Sequence, residues 1–132
     1  MKKKAVLIIT HGNFGIELLK SVQLIMGEQE DADALGLNLG DSIEDLRNKA
    51  KEIIVKNQEA GKETIVLVDI LGGSPSNIAL YLVKSCGVTL ITGVNMLMLI
   101  ELFSSRDSEE SNDLVEKMIS SGIEGIKKFE KD

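Results

Sequence analysis

Two short segments of this sequence hold the side chains best suited to group-transfer chemistry: Thr10-His11-Gly12-Asn13-Phe14-Gly15 and Asp69-Ile70-Leu71-Gly72-Gly73-Ser74. His11 is the only histidine in the 132-residue chain. A neutral imidazole becomes an effective nucleophile when a carboxylate accepts the proton of one ring nitrogen. The tautomer is then fixed and the other nitrogen keeps a free lone pair. Asp69 is the candidate carboxylate. A phosphoryl group carried by such a nitrogen bears about two negative charges near neutral pH and needs donors. Gly72 and Gly73 let the backbone approach closely, and a helix opening near Pro75 would point its positive end at the group. Ser74 and Thr10 are candidate hydroxyl donors, and Gly12 and Gly15 leave room in the first loop. Neither segment contains Lys or Arg, so backbone amides would have to stabilise the transferring group. Each feature alone has a plain reading: a packed histidine, a helix-capping aspartate, a strand-to-helix turn. Only a fold that brings the two segments together gives them a joint role.

The pattern along the chain supplies such a fold. Residues 5–10, 34–39, 64–69 and 88–92 read as strands, the first and third apolar almost throughout. Between them, residues 15–26 read as a helix, with Leu18, Val22 and Ile25 on one face. A second helix opens at Ile43 after the capping candidates Asp41 and Ser42, and is stopped by Gly61. A third spans residues 74–85, with Ser74 as N-cap, Pro75 at the first helical position and Gly87 as the stop. A short helix covers 96–103, a polar loop 104–112, and a last helix around Leu114–Ile119 is expected to end at Gly122. Residues 123–129 form a closing segment, read either as a fifth, antiparallel strand or as further helix. Strands alternating with helices predict an α/β protein: a doubly wound, mostly parallel sheet in the flavodoxin-like order, helices on both faces. In that order the first and third strands are central neighbours, and their carboxyl ends form the switch point where ligands collect. His11 and Asp69 stand there. No repeat or linker divides the chain, so residues 1–132 read as one domain.

Composition narrows the chemistry. A net charge of −6, one tyrosine and no tryptophan argue against a nucleic-acid partner, which needs a basic stripe and stacking platforms. One cysteine excludes an internal disulfide and fits a reducing compartment. Cys86, with only Lys84 as a basic neighbour, reads as a packed helix end. One histidine and one cysteine make no zinc site. No P-loop signature is present, and Gly73-Ser74-Pro75-Ser76 is not a nucleophile elbow. A response-regulator receiver would need an acidic pair after the first strand for magnesium, where Thr10-His11 stands instead. Flavin binding lacks its flanking aromatic rings. No cofactor or metal is expected. The run 5–9 after Lys2–Lys4 is too short for a signal peptide core or a membrane span, so the chain is expected in the cytoplasm.

These segments, together with Leu18-Leu19-Lys20-Ser21, Met26-Gly27-Glu28-Gln29, Ser74-Pro75-Ser76-Asn77 and Thr92-Gly93-Val94-Asn95-Met96-Leu97-Met98-Leu99, resemble the enzyme IIA subunits of the mannose/fructose/sorbose family of the bacterial phosphoenolpyruvate-dependent sugar phosphotransferase system. The resemblance runs over essentially the whole chain. It implies that His11 accepts a phosphoryl group from phospho-HPr and passes it to a histidine of the cognate enzyme IIB. The aspartate matching Asp69 would orient the histidine, and the serine matching Ser74 would lie beside the phosphoryl group. It further implies a cytoplasmic homodimer, peripheral to membrane subunits IIC and IID, whose C-terminal strand is often exchanged between subunits; residues 123–129 would suit that strand. Ile70 and Leu71 stand where some members have threonine and tryptophan, so a hydroxyl donor and an aromatic surface are absent. Gly15 replaces a frequent alanine, which reads as a minor change. No IIB domain follows, so IIB is expected as a separate chain. A phosphocarrier subunit of a dihydroxyacetone kinase ranks second, because that family lacks the Gly-Gly-Ser-Pro-x-Asn pattern. A regulatory domain read through its phosphorylation state ranks third.

Overall fold

The computed structural model describes residues 1–132. In chain order the elements are β1 (Lys3–His11), α1 (Phe14–Met26), β2 (Ala32–Leu37), α2 (Ile43–Glu59), β3 (Lys62–Val68), α3 (Ser74–Cys86), β4 (Thr89–Thr92), α4 (Met96–Ser105) and α5 (Ser111–Glu124). The four strands make one sheet in the order β2-β1-β3-β4, and every pairing is parallel. This is the doubly wound flavodoxin-like order expected from the sequence. The side-chain period of two explains why β1 and β3 are apolar almost throughout. Val6, Ile8, Ile65 and Leu67 face one layer, with Val22 of α1, Leu99 and Leu102 of α4, and Leu114 and Met118 of α5. Leu7, Ile9, Val66 and Val68 face the other, against Leu46, Ala50 and Ile54 of α2 and Ile78, Ala79 and Leu82 of α3. A strand buried on both faces has no position left for a polar side chain until it emerges at its end.

The helix starts follow local chemistry. The Ser42 side chain accepts from the Asp45 amide at 3.2 Å, and Asn95 Oδ1 accepts from the Met98 amide at 3.1 Å, capping α2 and α4. In α3 the cap is Gly73 rather than Ser74, which is already helical, and Pro75 occupies the second position. At the end of the sheet remote from His11, buried Lys4 donates to the Glu109 carbonyl at 2.6 Å. Arg106 donates to the carbonyls of Lys4 and Glu30 at 3.2 and 2.7 Å, so the α4–α5 connection straps that end. Glu101 accepts from Ser105 and Ser121 at 2.6 and 2.8 Å, tying α5 to α4.

Two expectations at the C-terminus are corrected. Gly122 does not end the last helix, which continues to Glu124. A Cβ at Gly122 would lie 2.7 Å from Met98 Cγ, so the glycine serves the close approach of α5 to α4. The closing segment is not a strand of this sheet either: Ile123 is helical, and residues 126–132 pair with no strand of the chain. With β4 as the sheet edge, Ile123, Ile126 and Phe129 remain 63%, 78% and 88% exposed. No helix is long and apolar enough to cross a membrane.

Candidate functional site

His11 is the last residue of β1, and β3 pairs with β1 up to Ile9 opposite Val68. The next residue of the β3 chain, Asp69, therefore emerges beside Thr10 and His11 at the carboxyl edge of the sheet. The Asp69 carboxylate accepts three hydrogen bonds. His11 Nδ1 lies 2.8 Å from Oδ2, the His11 amide donates to the same oxygen at 3.0 Å, and the Ile70 amide donates to Oδ1 at 3.1 Å. Partial burial pushes the Asp69 carboxyl upward. The hydrogen bonds from the His11 amide, its ring and the Ile70 amide, with the charge of the imidazole, outweigh that and hold it below the ordinary aspartate value. An ionised carboxylate only accepts, so Nδ1 is the ring nitrogen that carries the proton.

That assignment leaves Nε2 as the ring nitrogen with a free lone pair. The imidazole is half exposed, whereas the Asp69 side chain is only 14% exposed. Gly73 lies against the far edge of the ring: a Cβ there would sit 3.2 Å from both Nε2 and Cε1. Gly72 and Gly73 have φ of +94° and +85°, a left-handed backbone that glycine adopts without strain. They deliver the chain into the start of α3, where the first amides have no intrahelical acceptor. The Asn77 amide closes the first turn onto the Gly73 carbonyl at 3.0 Å. Nε2 thus faces the positive end of a 13-residue helix. Ser74, half-buried at the first turn, makes no side-chain hydrogen bond within the protein and stands available.

Two of the candidate donors are engaged elsewhere. Thr10 is fully buried; its hydroxyl donates to the His11 carbonyl at 3.2 Å and accepts from the Gly15 amide at 2.9 Å. It shapes the loop from beneath instead of facing Nε2. Gly12, with φ of +54°, donates its amide to the Leu37 carbonyl at 2.7 Å. Gly15 is more than a minor change, since a Cβ there would lie 2.7 Å from Ile8 Cγ2 and 2.9 Å from Thr10 Cγ2. It seats α1 closer to β1 than alanine allows. Sequence reasoning missed Gly36 of β2, where a Cβ would lie 2.0 Å from the Gly12 carbonyl oxygen. The available signal was a glycine inside a strand pattern, which marks close backbone approach. Around the imidazole, the loops at this edge expose Phe14, Leu39, Ile43, Ile70 and Leu71, an apolar surface of the kind that partner proteins cover. No group of three or more His, Cys, Asp or Glu side chains converges as a metal cage.

Residues 5–119 match the family model of the phosphotransferase-system (PTS) fructose IIA component. The chain belongs to this IIA family. It is 36% identical over 125 residues to the PTS system mannose-specific EIIAB component of Escherichia coli (strain K12), covering 93% of this chain and 38% of that protein. The IIA chain therefore spans well under half of that relative. It is 31% identical over 115 residues to the PTS system fructose-specific EIIA component of Bacillus subtilis (strain 168), covering 86% of this chain and 78% of the relative. Among solved structures, the phosphotransferase system component EIIA from Streptococcus agalactiae superposes with a TM-score of 0.85 at 33% identity, covering 95% and 96% of the two chains. The doubly wound IIA fold and the family assigned from the two loops agree with these likenesses.

Proposed function

We propose that residues 1–132 act as a single IIA domain that carries a phosphoryl group on His11 Nε2, in the phosphoryl relay of a sugar phosphotransferase system. The observation that carries this reading is the pairing of Nδ1 with Asp69 at 2.8 Å, which presents Nε2 to the start of α3. The Nε2 lone pair attacks the phosphorus of the donor, the donor's phosphorus–nitrogen bond breaks, and its electron pair returns to the donor imidazole. The ring of His11 becomes cationic as the new bond forms. Ionised Asp69 stabilises that charge, while the α3 amides and Ser74 meet the phosphoryl oxygens. Because the same contacts serve in both directions, the group leaves as readily as it arrives, as a relay requires. Lacking a Lys or Arg in either loop, the site does not hold phosphate as a clamp would.

In this reading the donor is phospho-HPr and the acceptor is a histidine of the cognate IIB, both docking on the apolar surface around His11. The domain works at the cytoplasmic side of membrane subunits IIC and IID as a homodimer in which residues 123–129 of each copy cover the other. Incubation with enzyme I, HPr and phosphoenolpyruvate is expected to place one acid-labile phosphate on the chain and none on a His11→Ala variant. Labelling that survives this substitution would overturn the proposal.

A further inference from the structure

The β1–β3 ladder stops at Ile9 opposite Val68, two residues short of His11, so side chains take over the backbone groups that face β3. The His11 amide donates to Asp69 at 3.0 Å, and the His11 carbonyl accepts from the Thr10 hydroxyl at 3.2 Å. The same hydroxyl accepts from the Gly15 amide at 2.9 Å. An amide only donates and a carbonyl only accepts, so the one hydroxyl proton of Thr10 is committed to His11. Thr10 is fully buried, and bulk water does not compete for either bond. Gly15 is what lets the amide come this close, since a Cβ there would lie 2.9 Å from Thr10 Cγ2 and 3.2 Å from Oγ1. One side chain thus ties the end of β1 to the first turn of α1, across the loop that presents the imidazole.

The geometry points to Thr10 as a positioning residue for phosphoryl transfer: its hydroxyl, held between the Gly15 amide and the His11 carbonyl, fixes the His11 backbone so that the ring rests against Asp69. This rests on the relay reading and adds to it a residue that touches neither the ring nor the phosphoryl group. Asp69 takes the His11 amide and Nδ1 on one oxygen, Oδ2. Both bonds close only while the peptide and the ring keep a fixed relation. The peptide after His11 is held from two sides, by Thr10 at its carbonyl and by the Leu37 carbonyl, which accepts from the Gly12 amide at 2.7 Å. Without the hydroxyl that peptide hangs on the Leu37 bond alone, hinged at Gly12, which has no side chain to restrain it. The fold survives this, but Nε2 loses part of its alignment.

The test compares, in the full chain, Thr10→Val, which keeps the shape and loses the hydroxyl, with Thr10→Ser, which keeps the hydroxyl and loses the methyl. Rates are read well below the unfolding midpoints of all three proteins, with circular dichroism confirming equal folding. Thr10→Val is expected to lower kcat for labelling by phospho-HPr about two- to tenfold, the rate equivalent of one hydrogen bond. KM should not change, because no surface side chain is altered. Labelling by phosphoramidate, a small donor that needs no docking, should fall by the same factor. Thr10→Ser should stay within about twofold of wild type, since its hydroxyl can make both bonds. The ring-nitrogen chemical shifts of His11 should show the Nδ1-protonated tautomer in wild type and Thr10→Ser, and a larger share of the other tautomer in Thr10→Val. Should Thr10→Val fail to fold, Thr10→Cys, whose thiol is a weak donor, takes its place with the same expected loss. A folded variant without the hydroxyl that is as fast as wild type would overturn the inference while leaving the relay intact. Equal losses in Thr10→Ser would also overturn it, since shape and not the hydroxyl would then be the cause. If the wild-type chain takes phosphate from neither donor, the relay reading falls, and the role of Thr10 falls with it.

Discussion

In the proposed relay the imidazole of His11 and the carboxylate of Asp69 divide the work: one side of the ring is tied down so that the other can react. The tie is made by three hydrogen bonds to Asp69, two of them from His11 itself. Asp69→Asn keeps the shape of the contact but loses the charge that balances a phosphorylated ring. We expect phosphoryl transfer to slow by about 10- to 100-fold, the usual effect of removing an orienting partner, with near-unchanged circular dichroism. Stopped transfer assays with wild type and variant check this; equal rates would remove Asp69 from the chemistry. The same residue gives a pH signature. Its carboxyl is held below the ordinary aspartate value in the folded chain, so its contribution to stability is complete at neutral pH and is lost as pH falls below about 4. Denaturant unfolding across that range should show a steeper acid-side loss for the wild type than for Asp69→Asn.

At the scale of elements, the site depends on how closely β1, β2 and the start of α3 can approach one another. Gly36 admits the Gly12 carbonyl onto β2, and Gly15 admits α1 onto β1. Gly36→Ala has no flexible neighbour to displace, only backbone, and is expected to cost about 1–3 kcal/mol as an overpacking change. It should also shift the His11 ring resonances in an NMR spectrum, because the loop carrying His11 must move. Full stability with an unmoved His11 would contradict the close approach. This is also where the sequence was least legible. The apolar runs of β1 and β3 gave the central strands, and their ends placed His11 and Asp69 together, because strand burial is written in residue type. Which donors face the ring is not written there. Thr10 and Ser74 are both hydroxyl residues flanking the strand-to-helix loops, and only the backbone path decides that one lies buried under the loop and the other stands free at a helix start. Gly122 failed as a helix stop for a similar reason: a glycine that serves packing looks like one that serves a turn.

For the whole molecule, the two ends of the sheet differ. The amino edge is strapped by Lys4 and Arg106, whereas the carboxyl edge exposes apolar side chains around His11. A second exposed apolar region, Ile119, Ile123, Ile126 and Phe129, lies along α5 and the segment after it, and the first three of these line a cavity with Ile91 and Thr92 of edge strand β4. The sequence allowed a fifth strand here or more helix. Within one chain there is no fifth strand, and residues 126–132 pair with no strand of the sheet. We expect a dimer by light scattering at micromolar concentration, and a monomer on truncation after Gly125. A full-length monomer would show that this surface has another purpose.

The central claim is that phosphate travels on Nε2 of His11 while Asp69 holds Nδ1. Phosphorylating the nitrogen-labelled chain with enzyme I, HPr and phosphoenolpyruvate, and reading the phosphorus–nitrogen coupling by NMR, tests it most directly. The account predicts one phosphate, coupled to Nε2, that disappears when unphosphorylated IIB is added. Coupling to Nδ1, or a phosphate on any other residue, would contradict it.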